Sequence, residues 1–239
     1  MDPRNAILKA ARQGDAEDFE RQASLLPVQD STTKGAIMAK IMNNSGCTVL
    51  HLAAAGGNTF VLDYMLREDV FPNTDEGRAR RLAFLNKKSV LGDESAVLTA
   101  IRYHQRNFVV RLLQAGAEIN TVRSNGFGPL HCAMERGGDN MKMLCWLIEE
   151  YHCPADQKEA PSLMSPLHFA AFNDRWRCFS LLVEMRPQDL YDEYHGLNSI
   201  EIAVKYGAER VQAIMVQEGL VSDVILQAMA LALERRRAV

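Results

Sequence analysis

No stretch of the chain approaches the roughly 18 uninterrupted apolar residues that a membrane-spanning helix needs. The segment from Met1 to Leu8 also lacks the apolar run of a secretory leader. Charge of one sign is not in excess. The formal net charge is −3, with no cationic surplus to hold a polyanion, so generic nucleic-acid binding is not expected. Cysteine is scarce: the five present are an odd number scattered among predicted helices. That pattern fits reduced thiols in a reducing compartment and not a disulfide framework. The tight Cys-x2-4-Cys pair typical of zinc sites is missing. The glycine pairs Gly56-Gly57 and Gly137-Gly138 follow predicted helices, whereas a phosphate-binding loop follows a strand. These absences predict a cytoplasmic chain with no membrane, nucleic-acid, metal or other cofactor partner.

What is present is a pattern in six copies. A capping residue stands first, at Asn5, Thr48, Ser95, Gly128, Ser165 and Asn198. Two residues on is an aliphatic one: Ile7, Leu50, Val97, Leu130, Leu167 and Ile200. The next slot varies (Leu8, His51, Leu98, His131, His168, Glu201), and a fixed alanine follows at 10, 53, 100, 133, 170 and 203. A turn residue closes each copy: Gly14, Gly57, His104, Gly137, Asp174 and Gly207. Counted from Leu8 to Glu201 the offsets are 43, 47, 33, 37 and 33 residues. A period near 33 predicts a stack of helical units whose function lies on an extended surface.

Each slot has a physical reason. A Ser, Thr or Asn oxygen at the helix start accepts a bond from a free backbone N–H, worth about 1 kcal/mol. Pro129 and Pro166 occupy the first helical position, where a missing N–H costs nothing. The aliphatic residue and the alanine share one helix face, and the small alanine admits a neighbouring helix. Glycine at the turn suits a left-handed backbone; His104 and Asp174 are among the residue types that tolerate it.

Thr48-Val49-Leu50-His51-Leu52-Ala53-Ala54, Gly128-Pro129-Leu130-His131-Cys132-Ala133 and Ser165-Pro166-Leu167-His168-Phe169-Ala170-Ala171 resemble the signature of the ankyrin repeat family, Thr-Pro-Leu-His-x-Ala-Ala-x-x-Gly. Gln114 to Asn120 is similar to the family's helix end and hairpin entry. The resemblance covers almost the whole chain. The outer units, Asn5–Ala11 and Asn198–Ala203, lack the proline and histidine, as capping repeats often do. It implies an all-α solenoid of antiparallel helix pairs with projecting hairpin loops, binding protein on a concave groove. It also implies that His51, His131 and His168 tie the hairpin loop to the helix start.

The expected organisation is a single solenoid over 1–239, with units near 4–30, 47–70, 94–120, 127–153, 164–190 and 197–220. A C-terminal cap is expected at 222–237, opened by Ser222. Two offsets exceed the repeat and predict insertions near 25–46 and 68–93. The first reads as a short helix with Ile37, Met38 and Ile41 on one side. The second starts at Thr74-Asp75-Glu76 and ends near Asn86-Lys87-Lys88, acid first and base last as the helix dipole prefers. Insertions in such stacks map to one face, often the binding face, although both helices also fit as padding. The basic cluster of Arg78, Arg80, Arg81, Lys87 and Lys88 marks the second as a candidate contact.

The two positions before each turn slot give the other candidates. From the third unit on they are Arg102-Tyr103, Glu135-Arg136, Phe172-Asn173 and Lys205-Tyr206, a row mixing aromatic and charged side chains. Tyr and Arg are enriched at binding hot spots. The competing reading is that Tyr103, Phe172 and Tyr206 merely pack on adjacent helices.

No catalytic residue is assigned. Cys145, His152 and Cys153 are the one set from which a cryptic Cys/His enzyme site would be built, and neither a base nor an oxyanion site accompanies them. The function expected is non-catalytic recognition by a monomer of a protein partner with an acidic or extended segment. A host-directed effector of an intracellular bacterium or virus, acting in the host cytosol, is the second reading.

Overall fold

The capping residues open the inner helices where the repeat predicts them. In the computed structural model, which describes residues 3–26, 34–137, 140–156 and 164–237, the Ser95 hydroxyl accepts the Leu98 N–H at 3.3 Å and the Ser165 hydroxyl that of His168 at 3.3 Å. Asn198 accepts from Glu201 at 2.9 Å, and the Glu201 carboxylate answers the Asn198 N–H at 3.0 Å, closing a capping box.

The chain divides into two compact units, Met1–Ser124 and Asn125–Val239. The first holds α1 (Pro3–Gln13), α2 (Ala16–Ser24), α3 (Lys34–Met38), α4 (Val49–Gly56), α5 (Thr59–Met65), α6 (Asp75–Leu85), α7 (Ala96–Arg102) and α8 (Arg106–Gln114). The second holds α9 (Pro129–Glu135), α10 (Asn140–Tyr151), α11 (Pro166–Phe172), α12 (Trp176–Met185), a 3-10 turn (Pro187–Tyr191), α13 (Ser199–Lys205), α14 (Glu209–Gln217) and α15 (Asp223–Arg237). No strand forms among the described residues; isolated bridges such as Met42–Thr48, Lys88–Ser95 and Tyr194–Leu197 close the loops that precede inner helices.

Within each unit the helices form two layers. In the first, α1, α4 and α7 pack in sequence as an inner row, with α2, α5 and α8 behind them. In the second, α9, α11 and α13 form the inner row and α10, α12 and α14 the outer. The aliphatic and alanine slots fill the space between: Leu50, Ala53, Val97, Ala100, Leu130 and Ala133 are completely buried. Truncating one such leucine to alanine in a packed core costs about 2–5 kcal/mol.

The turn slots behave as their residue types demand, with one exception. Gly14, Gly57 and Gly207 are left-handed, and His104 and Asp174 accept the same conformation at φ 57° and 53°. Gly137 does not; α9 ends instead at Arg136 in extended backbone with ψ 157°. Beyond the turns, side chains reach back to the carbonyls that a helix C-terminus leaves open. Asn58 donates to Ala11 and Arg12 at 2.8 and 3.1 Å, and Arg175 to Met134 and Glu135 at 3.0 and 3.3 Å.

Both inserted segments contain the expected helices. α3 buries Met38, and Ile41 is buried just past its end; Ser31 to Thr33, included in the predicted helix, lie outside the described residues. α6 is capped by Thr74, which accepts the Gly77 N–H at 3.1 Å. Lys87 and Lys88 lie past its last turn and bind backbone instead of serving the helix dipole: Lys87 donates to the Ala39 carbonyl at 2.7 Å, Lys88 to that of Val122 at 2.6 Å. Close packing sets the residue type at Gly77, where an added Cβ would lie 1.9 Å from the Pro72 carbonyl oxygen. Gly77→Ala is therefore expected to lower stability by about 1–3 kcal/mol despite alanine's better helix propensity. Urea denaturation checks this; a rise in the midpoint would mean that the Pro72 backbone yields.

Candidate functional site

The row at the inner-helix ends falls into different environments. In the second unit Phe172 closes α11 and Tyr206 follows α13, one repeat apart on the same layer. Their rings meet at 4.5 Å between centroids with a 58° tilt, yet Phe172 stays 40% and Tyr206 50% exposed. Packing on the neighbouring helix and exposure thus occur together. The Lys205 ammonium lies 5.5 Å from the Tyr206 ring centre, a cation–π distance. Asn173 donates to the Phe169 carbonyl at 3.0 Å and so finishes α11. Glu135 is half-buried and Arg136 exposed.

In the first unit the row is drawn inward. Tyr103 is half-buried, with the Arg102 guanidinium 5.2 Å from its ring centre. Arg102 reaches the Glu94 carboxylate at 3.0 Å, and Arg123 reaches the same oxygen at 3.2 Å. Glu94 is only 4% exposed and its other oxygen has no protein partner among the described residues. Its backbone carbonyl also accepts from Ser89 N–H at 2.9 Å and from His51 at 2.8 Å. Sequence reasoning missed this node. The signal available to it was an acid placed directly before the Ser95 cap, with Arg102, Arg106, Arg111 and Arg123 following within one repeat.

The signature histidines are structural in geometry. Each Nδ1 accepts the N–H of its capping residue: Thr48 to His51 at 3.2 Å, Gly128 to His131 at 3.2 Å, Ser165 to His168 at 3.3 Å. Each Nε2 faces a carbonyl of the following loop, at Glu94, Met164 and Asp192, 2.8 Å in every case. Only the neutral Nε2–H tautomer serves both ends. Burial holds the His51 pKa down to about 4.

The basic cluster on α6 is partly engaged. Arg78 pairs with Asp75 and bonds the Asn73 side chain at 2.9 Å, Arg80 pairs with Glu76, and Arg81 is half-buried. Arg78 and Arg80 are about half exposed, and pairs of that kind are worth about 0–1 kcal/mol, so their guanidinium groups exchange partners cheaply.

Among the described residues no three His, Cys, Asp or Glu side chains converge as metal ligands. Cys153 is buried, and burial pushes its thiol up to about 12, opposite to what a nucleophile requires. His152 beside it is exposed in a left-handed turn. Iodoacetamide at mildly alkaline pH is expected to spare Cys153 in the native protein and to label it only on unfolding, as read by peptide mass mapping. Rapid native labelling would place that thiol at the surface. No helix among the described residues is long and apolar enough to cross a membrane. α15 is capped by Ser222 and buries Leu226, but Val224, Ile225 and Leu231 remain exposed.

Two family models match the chain: "Ankyrin repeats (many copies)" over residues 98–148 and "Ankyrin repeat" over 45–75. No curated protein sequence matches it significantly. Among solved structures, the human ASB11 ankyrin repeat domain is similar at a TM-score of 0.59 and 18% identity, covering 89% of this chain and 83% of that one. A chain from the complex of the Bd0816 predatory endopeptidase of Bdellovibrio bacteriovorus with immunity protein Bd3460 is similar at a TM-score of 0.59 and 18% identity. It covers 87% of this chain and 95% of its own. At that identity the likeness is one of fold.

Proposed function

We propose, from the premise that this chain is an ankyrin-repeat protein, a non-catalytic role in which it recognises a partner protein through the ends of its inner helices. The observation that carries the reading is the Phe172–Tyr206 pair, two large rings in contact with one another and still half open to solvent beside Lys205. Exposed aromatics grouped with a cation are what binding hot spots are made of. Lys205 and Arg136 favour a partner segment with carboxylates near an apolar or aromatic residue, laid along the ends of α9, α11 and α13. Arg102 acts in the first unit by fixing Glu94, and Tyr103 lies half-buried beside it. A fold of this kind occurs in one neighbour within a complex of an endopeptidase and an immunity protein, in keeping with a role in protein assembly.

The test is capture from cell lysate by the wild type and by a Phe172→Ala, Tyr206→Ala double variant of unchanged helicity. The expected result is a protein retained by the wild type and lost from the variant, since hot-spot truncations cost about 2 kcal/mol or more each, a factor of about thirty. Equal retention would move recognition away from the inner-helix ends.

A further inference from the structure

The two insertions fold against each other. The Gly35 N–H donates to the Val70 carbonyl at 3.0 Å, Lys34 pairs with Asp69 at 3.1 Å, and Lys87 holds the Ala39 carbonyl. Gly35 sits so close that a Cβ there would lie 2.5 Å from the Phe71 ring. Between them runs an open cleft of about 230 Å³. Its floor is Phe71 and Phe84, with ring centroids 5.8 Å apart, and its walls are Ala36 and Ala39 on one side and Ala83 on the other. Arg80 and Lys87 complete its lining. An apolar cavity of about 150 Å³ takes a benzene-sized group, so this cleft has room for a branched aliphatic side chain.

The charge around the cleft differs in sign from that of the whole chain. Residues 34–40 and 67–88 carry eight Lys or Arg against four carboxylates, Glu68, Asp69, Asp75 and Glu76, in a protein whose net charge is −3. We infer that the cleft between α3 and α6 docks a partner segment presenting one aliphatic side chain flanked by carboxylates. The aliphatic group fills the space over Phe71 and Phe84 while a carboxylate displaces Glu76 from Arg80, an exchange between exposed ion pairs of similar strength. A nucleic acid is the poorer match: it offers phosphates but no aliphatic group for an apolar floor. This deepens the recognition reading by giving a second contact its chemistry, and it stands on residues separate from Phe172 and Tyr206.

Short random peptides displayed on phage, selected against the intact chain, test it. The expected result is enrichment of peptides with Leu, Ile or Met between Asp or Glu residues. Their binding should be lost on Ala83→Trp, which fills the cleft from an exposed position, and weakened about tenfold on Arg80→Glu. It should also weaken with added salt. Circular dichroism establishes that both variants keep their helices. Enrichment of neutral or basic peptides, acidic peptides that still bind Ala83→Trp, or no enrichment would overturn the proposal. Peptides lost only from the Phe172→Ala, Tyr206→Ala variant would overturn it and leave recognition at the inner-helix ends intact. Heparin captured by the wild type and by Ala83→Trp, but not by Arg80→Glu, with no peptide enriched, would make the site a polyanion contact instead.

Discussion

Acidification from pH 7 to pH 4 is expected to remove about 3 kcal/mol of folding stability through His51 alone. The ring is buried, accepts at Nδ1 from Thr48 and donates from Nε2 to the Glu94 carbonyl. Protonation destroys the acceptor and buries a charge, so desolvation holds the folded pKa near 4, against 6.5 for a free imidazole. A depressed base contributes stability that is complete above the unfolded pKa. That contribution is lost as pH falls through the window from 6.5 to about 4. The Asp93 carboxyl, held below its usual range mainly by the Ser124 hydroxyl, loses stability in the same direction at lower pH. A wild-type scan is therefore not sufficient. Urea midpoints at neutral pH and at pH 4 should be compared between wild type and His51→Gln, and the variant's drop should be smaller by about 3 kcal/mol. Equal drops would mean that the loop opens to admit water at low cost.

Glu94→Gln should cost about 3–5 kcal/mol. The carboxylate is buried and meets Arg102 and Arg123, which are 30% and 11% exposed at their side chains. Removing one member of a buried charge cluster leaves the others in a poor solvent, and that desolvation is the larger part of the loss. The backbone bonds of residue 94 to Ser89 and His51 are unaffected by the substitution, so the measurement isolates the carboxylate. Equilibrium unfolding in urea gives the answer. A loss under about 1 kcal/mol would show that water screens the cluster as it does a surface pair.

The sequence carried the inner helices almost to the residue, because caps, turn glycines and the aliphatic and alanine slots are local signals. Thr74 and Ser222 were legible for the same reason. Contacts across the repeat were not. Arg102 looked like a surface hot spot because an acid beside the Ser95 cap does not by itself say that Glu94 is buried and shared by Arg102 and Arg123. Lys87 and Lys88 looked like helix-end charges because their carbonyl partners, Ala39 and Val122, are 48 and 34 residues away. The cleft over Phe71 and Phe84 was invisible since its two walls come from separate insertions. The aromatic row was legible as residue types, whereas the pairing of Phe172 with Tyr206 depends on how consecutive repeats stack.

The most direct test of recognition at the inner-helix ends is site-specific photocrosslinking. Benzoylphenylalanine placed at Tyr206 should crosslink to the protein captured from lysate. The same probe at Glu184, exposed on the outer helix α12, should not. Crosslinks from position 184 with none from 206 would put the partner on the outer layer and contradict the account.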